Sequence, residues 1–385
     1  MNLFWNELIS QPKALWDTYQ YWEEHKKTYS KKIIERIRSE QIDKFLFTGI
    51  GSSFFANYLP YYYLNQSGIH AEMREAGEFL FHSFPLTSKN FFRNTFVILT
   101  SQSGESGEIV KLLERFKRIK AKPFLIGITN TPKSSLDEQS DITFFTKAGK
   151  EETVTSKTYS ASLIVLNILA KIISNRKNLN PEQSKAAQLP EQNMTAFKNL
   201  HINAKKLFEK HDSPEKVPNS LSRFMENNNF ENSSLIFLAR GTSLATAYQS
   251  ALNAKELAKI NSEAQSVSTF NHGGIECLTE DSNLIFFSSD ENSFKLNNHF
   301  IQRILMKMAC NKILHITNQE LDKSYKRLKA TYSTKLFTFK HTIDNPFLAP
   351  IMEIFPIQIL LYKIAQTRGI EPGKFYYSQK ITRNI

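Results

Sequence analysis

Six residues, Ser101-Gln-Ser-Gly-Glu-Ser106, place three hydroxyls and a glycine directly after an apolar run that begins at Val97. Ile109, Val110, Leu112, Leu113 and Phe116 then recur at helical spacing. Glu105 and Glu108 stand near the start of that pattern and Lys117, Arg118 and Lys120 near its end, as the helix dipole favours. The pattern predicts a strand, a tight loop and a helix that begins close to Gly104. The first N–H groups of such a helix lack intrahelical acceptors, its dipole favours an anion, and glycine lets a ligand approach the backbone. Phosphate binding is the chemistry these residues suit, with Ser101, Ser103 and Ser106 as added donors. The same residue types also cap a helix and make a turn.

The elements that must position this loop repeat its theme. Lys44-Phe-Leu-Phe-Thr-Gly-Ile-Gly-Ser-Ser53 runs from a short apolar strand into Gly49, Gly51, Ser52 and Ser53, ahead of a helix-like aromatic segment, Phe54 to Tyr63. Pro123–Thr129 and Asp141–Phe145 read as further strands, and Thr153-Val-Thr-Ser-Lys-Thr-Tyr159 is a hydroxyl-rich entry to an apolar helix from Ser160 to about Ile173. Short apolar strands alternating with helices imply parallel pairing through right-handed crossovers, an α/β doubly wound sheet. Ligands of such sheets bind beyond the carboxyl ends of the strands, where both Ser/Gly loops lie.

The pattern then returns. Leu235-Ile-Phe-Leu-Ala-Arg-Gly-Thr-Ser243 mirrors Phe45–Ser53, and Asn283-Leu-Ile-Phe-Phe-Ser-Ser-Asp-Glu-Asn292 takes the place of the 97–108 stretch, at a similar interval of about 50 residues. The chain therefore reads as a duplicated domain. Ser288–Ser293 has no glycine and carries two acids where an anion would sit, which repels phosphate, so one phosphate site is expected, in the first copy. The expected organisation is a helical lead-in broken at Pro12 (1–40), a first domain with the phosphate site (41–185), a polar linker containing Pro190 (186–230), a second domain (231–350), and a C-terminal helix and tail (351–385).

Composition narrows the function. With 41% hydrophobic and 22% charged residues over 385 positions, the chain can bury a core and is not disordered. The net charge of +12 is spread along the chain with no block of like charge, so neither a nucleic-acid nor a membrane partner is expected, whereas an anionic sugar phosphate suits the field. Cys277 and Cys310 form no C-x-x-C pair and no disulfide framework, the N-terminus lacks a secretory pattern, and no uncharged stretch reaches spanning length. A cytoplasmic location is expected. No His/Cys/Asp cluster has ligand spacing, so no metal or other cofactor is expected.

Taken in order, Gly51-Ser-Ser53, Ser101–Ser106, Thr153–Tyr159, Ala251-Leu-Asn-Ala-Lys-Glu256 and Asn271-His-Gly273 resemble the motifs of the sugar isomerase (SIS) family, over about residues 40 to 385. The nearest group is the double-SIS proteins: the isomerase half of glucosamine-6-phosphate synthase, fructosamine-6-phosphate deglycases, and amino-sugar-phosphate deaminases and isomerases. The resemblance implies two SIS domains with a tail over the active site. It implies that Ser101, Gln102, Ser103 and Ser106 hold a phosphate, that Ser52 and Ser53 line the sugar side, and that Val154, Thr155 and Ser156 contact sugar hydroxyls. Glu256 matches the glutamate that moves a proton between C1 and C2 of the open-chain sugar through an enediol-type intermediate. His272 matches the ring-opening histidine, contributed across a homodimer, and Lys380 the lysine that forms a Schiff base or positions the sugar, with Lys374 a competitor.

Three departures separate this sequence from the full synthase: it starts at Met1-Asn2 without a glutaminase domain, Asn253 stands where the synthase has a lysine, and Thr269 stands where it has an acid. The expectation is a sugar-phosphate isomerase, deglycase or deaminase acting on a phosphorylated keto or amino sugar. The alternative is a sugar-phosphate-binding regulator without turnover.

Overall fold

The computed structural model describes residues 2–84, 91–175, 191–231 and 233–382. The expected boundary at 185/186, with Pro181 and Pro190, lies outside the described residues. In chain order the elements are α1 (Leu3–Ile9), α2 (Gln11–Ser39), β1 (Lys44–Gly49), α3 (Ser52–Ala56), α4 (Tyr58–Gln66), β2 (Ala71–Glu75), α5 (Ala76–Glu78), β3 (Thr95–Thr100), α6 (Gly107–Arg118), β4 (Phe124–Thr129), α7 (Ser135–Gln139), β5 (Ile142–Phe145), α8 (Lys157–Ser174) and α9 (Glu191–Lys210). The second series is α10 (Asn219–Met225), β6 (Leu235–Ala239), α11 (Leu244–Ala258), β7 (Ser262–Ser266), α12 (Val267–Asn271), β8 (Asn283–Ser288), α13 (Glu291–Lys307), β9 (Lys312–Thr317), α14 (Lys323–Thr331), β10 (Leu336–Lys340) and α15 (Ala349–Thr367).

The chain forms two compact units. The first comprises Ser10–His201 and Tyr376–Ile385, the second Met1–Ile9 and Ile202–Phe375. The lead-in is thus divided at Ser10, with α1 in the second unit and α2 in the first. Pro12 does not break a helix; it lies in the first turn of α2, where a missing N–H costs nothing. The tail beyond Phe375 returns to the first unit.

Each unit holds one parallel five-stranded sheet, in the order β2-β1-β3-β4-β5 in the first and β7-β6-β8-β9-β10 in the second. The two orders are the same. The central strands are buried along their whole length, which is why β3 and β8 read as continuous apolar runs rather than alternating ones. In the first unit Leu46, Val97 and Leu99 of the sheet pack with Leu112, Leu113 and Phe116 of α6. In the second, Leu284 and Phe286 pack with Phe294, Ile301 and Ile304 of α13. These contacts are what the helical spacing of apolar residues was for: they fix each helix on its sheet with its N-terminus at the strand's carboxyl end.

The duplication extends into the loops. Gly51 and Gly241 follow β1 and β6 two residues after each strand, with φ of 53° and 57°. The loops that follow β3 and β8 differ. Six residues, 101–106, separate β3 from α6, whereas Ser289 and Asp290 alone separate β8 from α13.

Candidate functional site

The 101–106 loop is held by its own hydroxyls. Ser101 Oγ accepts from the Gly104 N–H at 3.2 Å and lies 3.3 Å from Ser106 Oγ, and Ser103 Oγ accepts from the Glu105 N–H at 3.1 Å. The Gln102 carbonyl accepts from Thr129 Oγ1 and from the Asn130 N–H, tying the loop to the end of β4. Glu105 turns outward to accept from the N–H and hydroxyl of Ser135 at the start of α7. Gly104 has φ of 68°, and a Cβ there would come within 2.1 Å of Ser134 Oγ, so backbone and packing both require glycine.

The helix starts three residues later than the sequence pattern predicts. Ser106 is the N-cap of α6, in an extended conformation, and its side chain makes no capping bond. The extra loop residues wrap the strand end, and the helix keeps an N-terminus that no side chain fills. The Gly107 N–H donates to the Thr382 carbonyl of the tail at 3.1 Å. Ser52 and Ser53 begin α3 beside this loop; a Cβ at Gly49 would lie 2.9 Å from the Thr100 carbonyl, so the absence of a side chain there lets β1, β3 and α3 close together.

The third element is the segment before α8. Glu151 is buried and accepts from the Ser156 N–H and Oγ, from the Thr158 N–H, and from Thr158 Oγ1 at 2.6 Å. Lys380 Nζ pairs with Glu151 at 2.7 Å, and donates to the Thr153 carbonyl at 2.7 Å and to Thr155 Oγ1 at 3.4 Å. Burial by itself would raise the Glu151 carboxyl, but the Lys380 ammonium and the Thr158 and Ser156 donors outweigh it and hold the group below the ordinary carboxylate value. Ser156 and Val154 are wholly buried. The tail therefore touches the first unit twice, through Lys380 at the 151–156 segment and through Thr382 at the head of α6.

The remaining candidates stand on the second unit. Glu256 lies on α11, one turn before Lys259, whose ammonium donates to the Glu256 carbonyl at 2.6 Å and to the Lys374 carbonyl at 2.8 Å. His272 is exposed and ends α12; its N–H donates to the Thr269 carbonyl, and its neighbour Asn271 accepts from Arg303. Thr269 helps cap the same turn, its N–H donating to Ser266 Oγ at 3.1 Å. Of the two tail lysines, Lys374 pairs with Glu371 at 3.5 Å within the second unit, and Lys380 pairs with Glu151 within the first.

Sequence reasoning passed over Glu151, which is one of two adjacent glutamates with nothing to distinguish it. It also passed over Glu353, which does carry a signal, a lone acid inside the apolar run Ile351–Leu361.

A parallel sheet whose strand ends carry serine loops, with a helix N-terminus left open at one of them, matches a known family over residues 40–172. The family is the SIS domain. The SIS match runs from just before β1 into α8 and ends two residues short of the end of that helix. Over the whole chain, glutamine–fructose-6-phosphate aminotransferase [isomerizing] from Clostridium tetani is 26% identical across 347 residues, 89% of this chain and 52% of that protein. The Bacillus subtilis protein of the same name is 25% identical over 87% of this chain and 50% of its own length. The chain spans about half the length of the curated relatives it matches. Among solved structures, the C-terminal domain of glucosamine-fructose-6-phosphate aminotransferase from Francisella tularensis superposes with a TM-score of 0.76 at 21% identity, covering 96% of each chain. Tagatose-6-phosphate ketose/aldose isomerase from Escherichia coli superposes with a TM-score of 0.75 at 13% identity, covering 97% of this chain and 96% of that one. These likenesses show the fold, two parallel α/β units in one chain. Among the described residues no helix is long and apolar enough to cross a membrane, and no cluster of His, Cys, Asp and Glu has the makings of a metal site.

Proposed function

We propose that this chain is an SIS-type enzyme that transfers a proton between C1 and C2 of a phosphorylated keto or amino sugar, as an aldose–ketose isomerase, deglycase or deaminase. The observation that carries the reading is the uncapped N-terminus of α6 behind the 101–106 loop. Its backbone donors and the Ser101, Ser103 and Ser106 hydroxyls suit a phosphate monoester, while the corresponding helix of the second unit is already capped by Asp290. Gln102 completes the phosphate loop, Ser52 and Ser53 line the sugar side, and Val154, Thr155 and Ser156 contact its hydroxyls.

In this reading Glu256 takes the proton from the carbon beside the carbonyl or imine and returns it to the neighbouring carbon, so an enediol or enolamine forms and collapses without net change in charge. His272 shuttles the proton that opens the sugar ring, and its exposure suits delivery to a second copy of the chain in a homodimer. Lys380 approaches the sugar from the tail. While its ammonium is paired with Glu151 it positions the substrate by hydrogen bonding; to form an imine it must first give up a proton.

The test is turnover of fructose-6-phosphate, glucosamine-6-phosphate and fructosamine-6-phosphate by the full chain. Consumption of one of them, lost in Glu256→Gln with binding retained, supports the mechanism. Activity unaffected by Glu256→Gln sinks it. Binding without turnover of any of the three favours the regulatory alternative.

A further inference from the structure

The second unit carries the same strand ends and the same Gly-turn as the first, yet its hydroxyls are already engaged. Glu353, in the second turn of α15, is wholly buried and accepts from Ser243 Oγ at 2.8 Å, from Thr246 Oγ1 at 3.0 Å and from Ser289 Oγ. Ser243 corresponds in register to Ser53, and Ser289 to Ser101, each the same number of residues beyond its strand. The helix start beside them is filled as well: Asp290 accepts from the Ser293 N–H at 2.8 Å and from Ser293 Oγ at 2.6 Å. Where the first unit leaves hydroxyls and helix donors for an incoming anion, the second supplies two carboxyls of its own.

Asp290 and Glu353 sit in different company. Asp290 rests on a helix N-terminus, which favours its charge. Glu353 meets hydroxyls, and among the described residues no cation pairs with it. The charged neighbour from the β8–α13 loop is Asp290, of like sign, and the groups that reach it from α11 and the turn before it are Thr246 and Ser243. Arg223 of α10, which packs on α15, donates to the Ser333 carbonyl and lies over the Phe337 ring. His315 of β9 and His341 after β10 are held neutral, each pushed down to about 3 by burial.

We propose that the second unit keeps a ligand cradle closed from within, in which the proton-bearing carboxyl of Glu353 is the tethered occupant of the Ser243, Thr246 and Ser289 hydroxyls. A protonated carboxyl both accepts from and donates to hydroxyls, so it satisfies this cluster without leaving a buried charge uncompensated. Burial, with a smaller push from Asp290, raises the group to about 7, so ionisation falls in the neutral range. Losing the proton there removes a donor and adds a second negative charge, which loosens α15 from the two loops.

The test is thermal unfolding of the full chain and of Glu353→Gln between about pH 5 and pH 8.5. The amide keeps the shape and hydrogen bonding of the neutral acid but cannot ionise. The expected result is equal midpoints at the acid end and an advantage for Glu353→Gln of about 2–6 °C at the alkaline end. A gap that does not change with pH overturns the proposal. If the variant does not fold, infrared titration of the unaltered chain decides. A protonated-carboxyl stretch that outlasts the surface carboxyls and vanishes through neutral pH supports it, and its absence at about pH 6 overturns it.

Discussion

Two carboxyls are buried, Glu151 ahead of α8 in the first unit and Glu353 inside α15 in the second, and the folded state shifts them in opposite directions. Both pay the cost of leaving water. Glu151 meets the Lys380 ammonium and hydrogen-bond donors, which together outweigh burial; Glu353 meets three hydroxyls, which pull it down, but burial, with a small push from Asp290, outweighs them. Among these two buried carboxyls, the one with a cation beside it is the one that stays charged. The same contrast separates the units: the first leaves a helix start unfilled and ties its tail there, and the second fills the corresponding place with its own side chains.

The comparison can be broken most severely at the chemistry. Glu256→Gln is expected to lower turnover of a sugar phosphate by about 10²–10⁴-fold with little change in binding, measured by steady-state kinetics beside calorimetry. Ser103→Glu places an acid in the proposed phosphate loop and is expected to weaken sugar-phosphate binding by at least about 100-fold, because a like charge inside a partly dry loop costs several kcal/mol. Retained affinity would mean the phosphate lies elsewhere.

Two glycine substitutions then compare the loops directly. Gly104→Ala meets both a positive φ and the Ser134 hydroxyl, and is expected to cost about 3 kcal/mol or more. Gly241→Ala has a positive φ but nothing within 4 Å, and is expected to cost about 1 kcal/mol, both read from chemical unfolding. Equal costs would show that the Ser134 contact adds nothing to the strain of the positive φ at Gly104.

The pH limbs are subtler. Because the folded state lowers Glu151, its contribution is present above the ordinary glutamate value and is lost as pH falls through and below it; Glu151→Gln should flatten that acid limb. Because the folded state raises Glu353 to about 7, its cost grows as pH rises from the ordinary value to about 7, on the order of a few kcal/mol in all. Opposite slopes removed by the two glutamine variants would establish the contrast, and a shared slope would erase it.

Much of this was legible beforehand, for reasons that can be named. Parallel strands covered on both faces must be apolar throughout, so β3, β6 and β8 announce themselves, and the Gly-Ser turns after β1 and β6 repeat because each strand end needs the same left-handed step. The serine loop at 101–106 was visible as residue types. Its helix start was placed three residues early, because a sequence does not say how much loop a strand end needs before the first turn can close. The break read at Pro12 falls at Ser10, between α1 and α2, because the proline sits in the first turn of the second helix.

The sequence by itself determined the duplicated α/β plan and the different residue chemistry of the 101–106 loop and its counterpart at 288–293, since these follow from local periodicity and from residue types within a few positions. Only the tertiary structure decided that Lys380 reaches Glu151 across 229 positions, that Thr382 closes on the head of α6, and that Glu353 lies among Ser243, Thr246 and Ser289. Such pairings join residues with no sequence relation, and a carboxyl's charge depends on which groups the fold brings within about 3 Å of it.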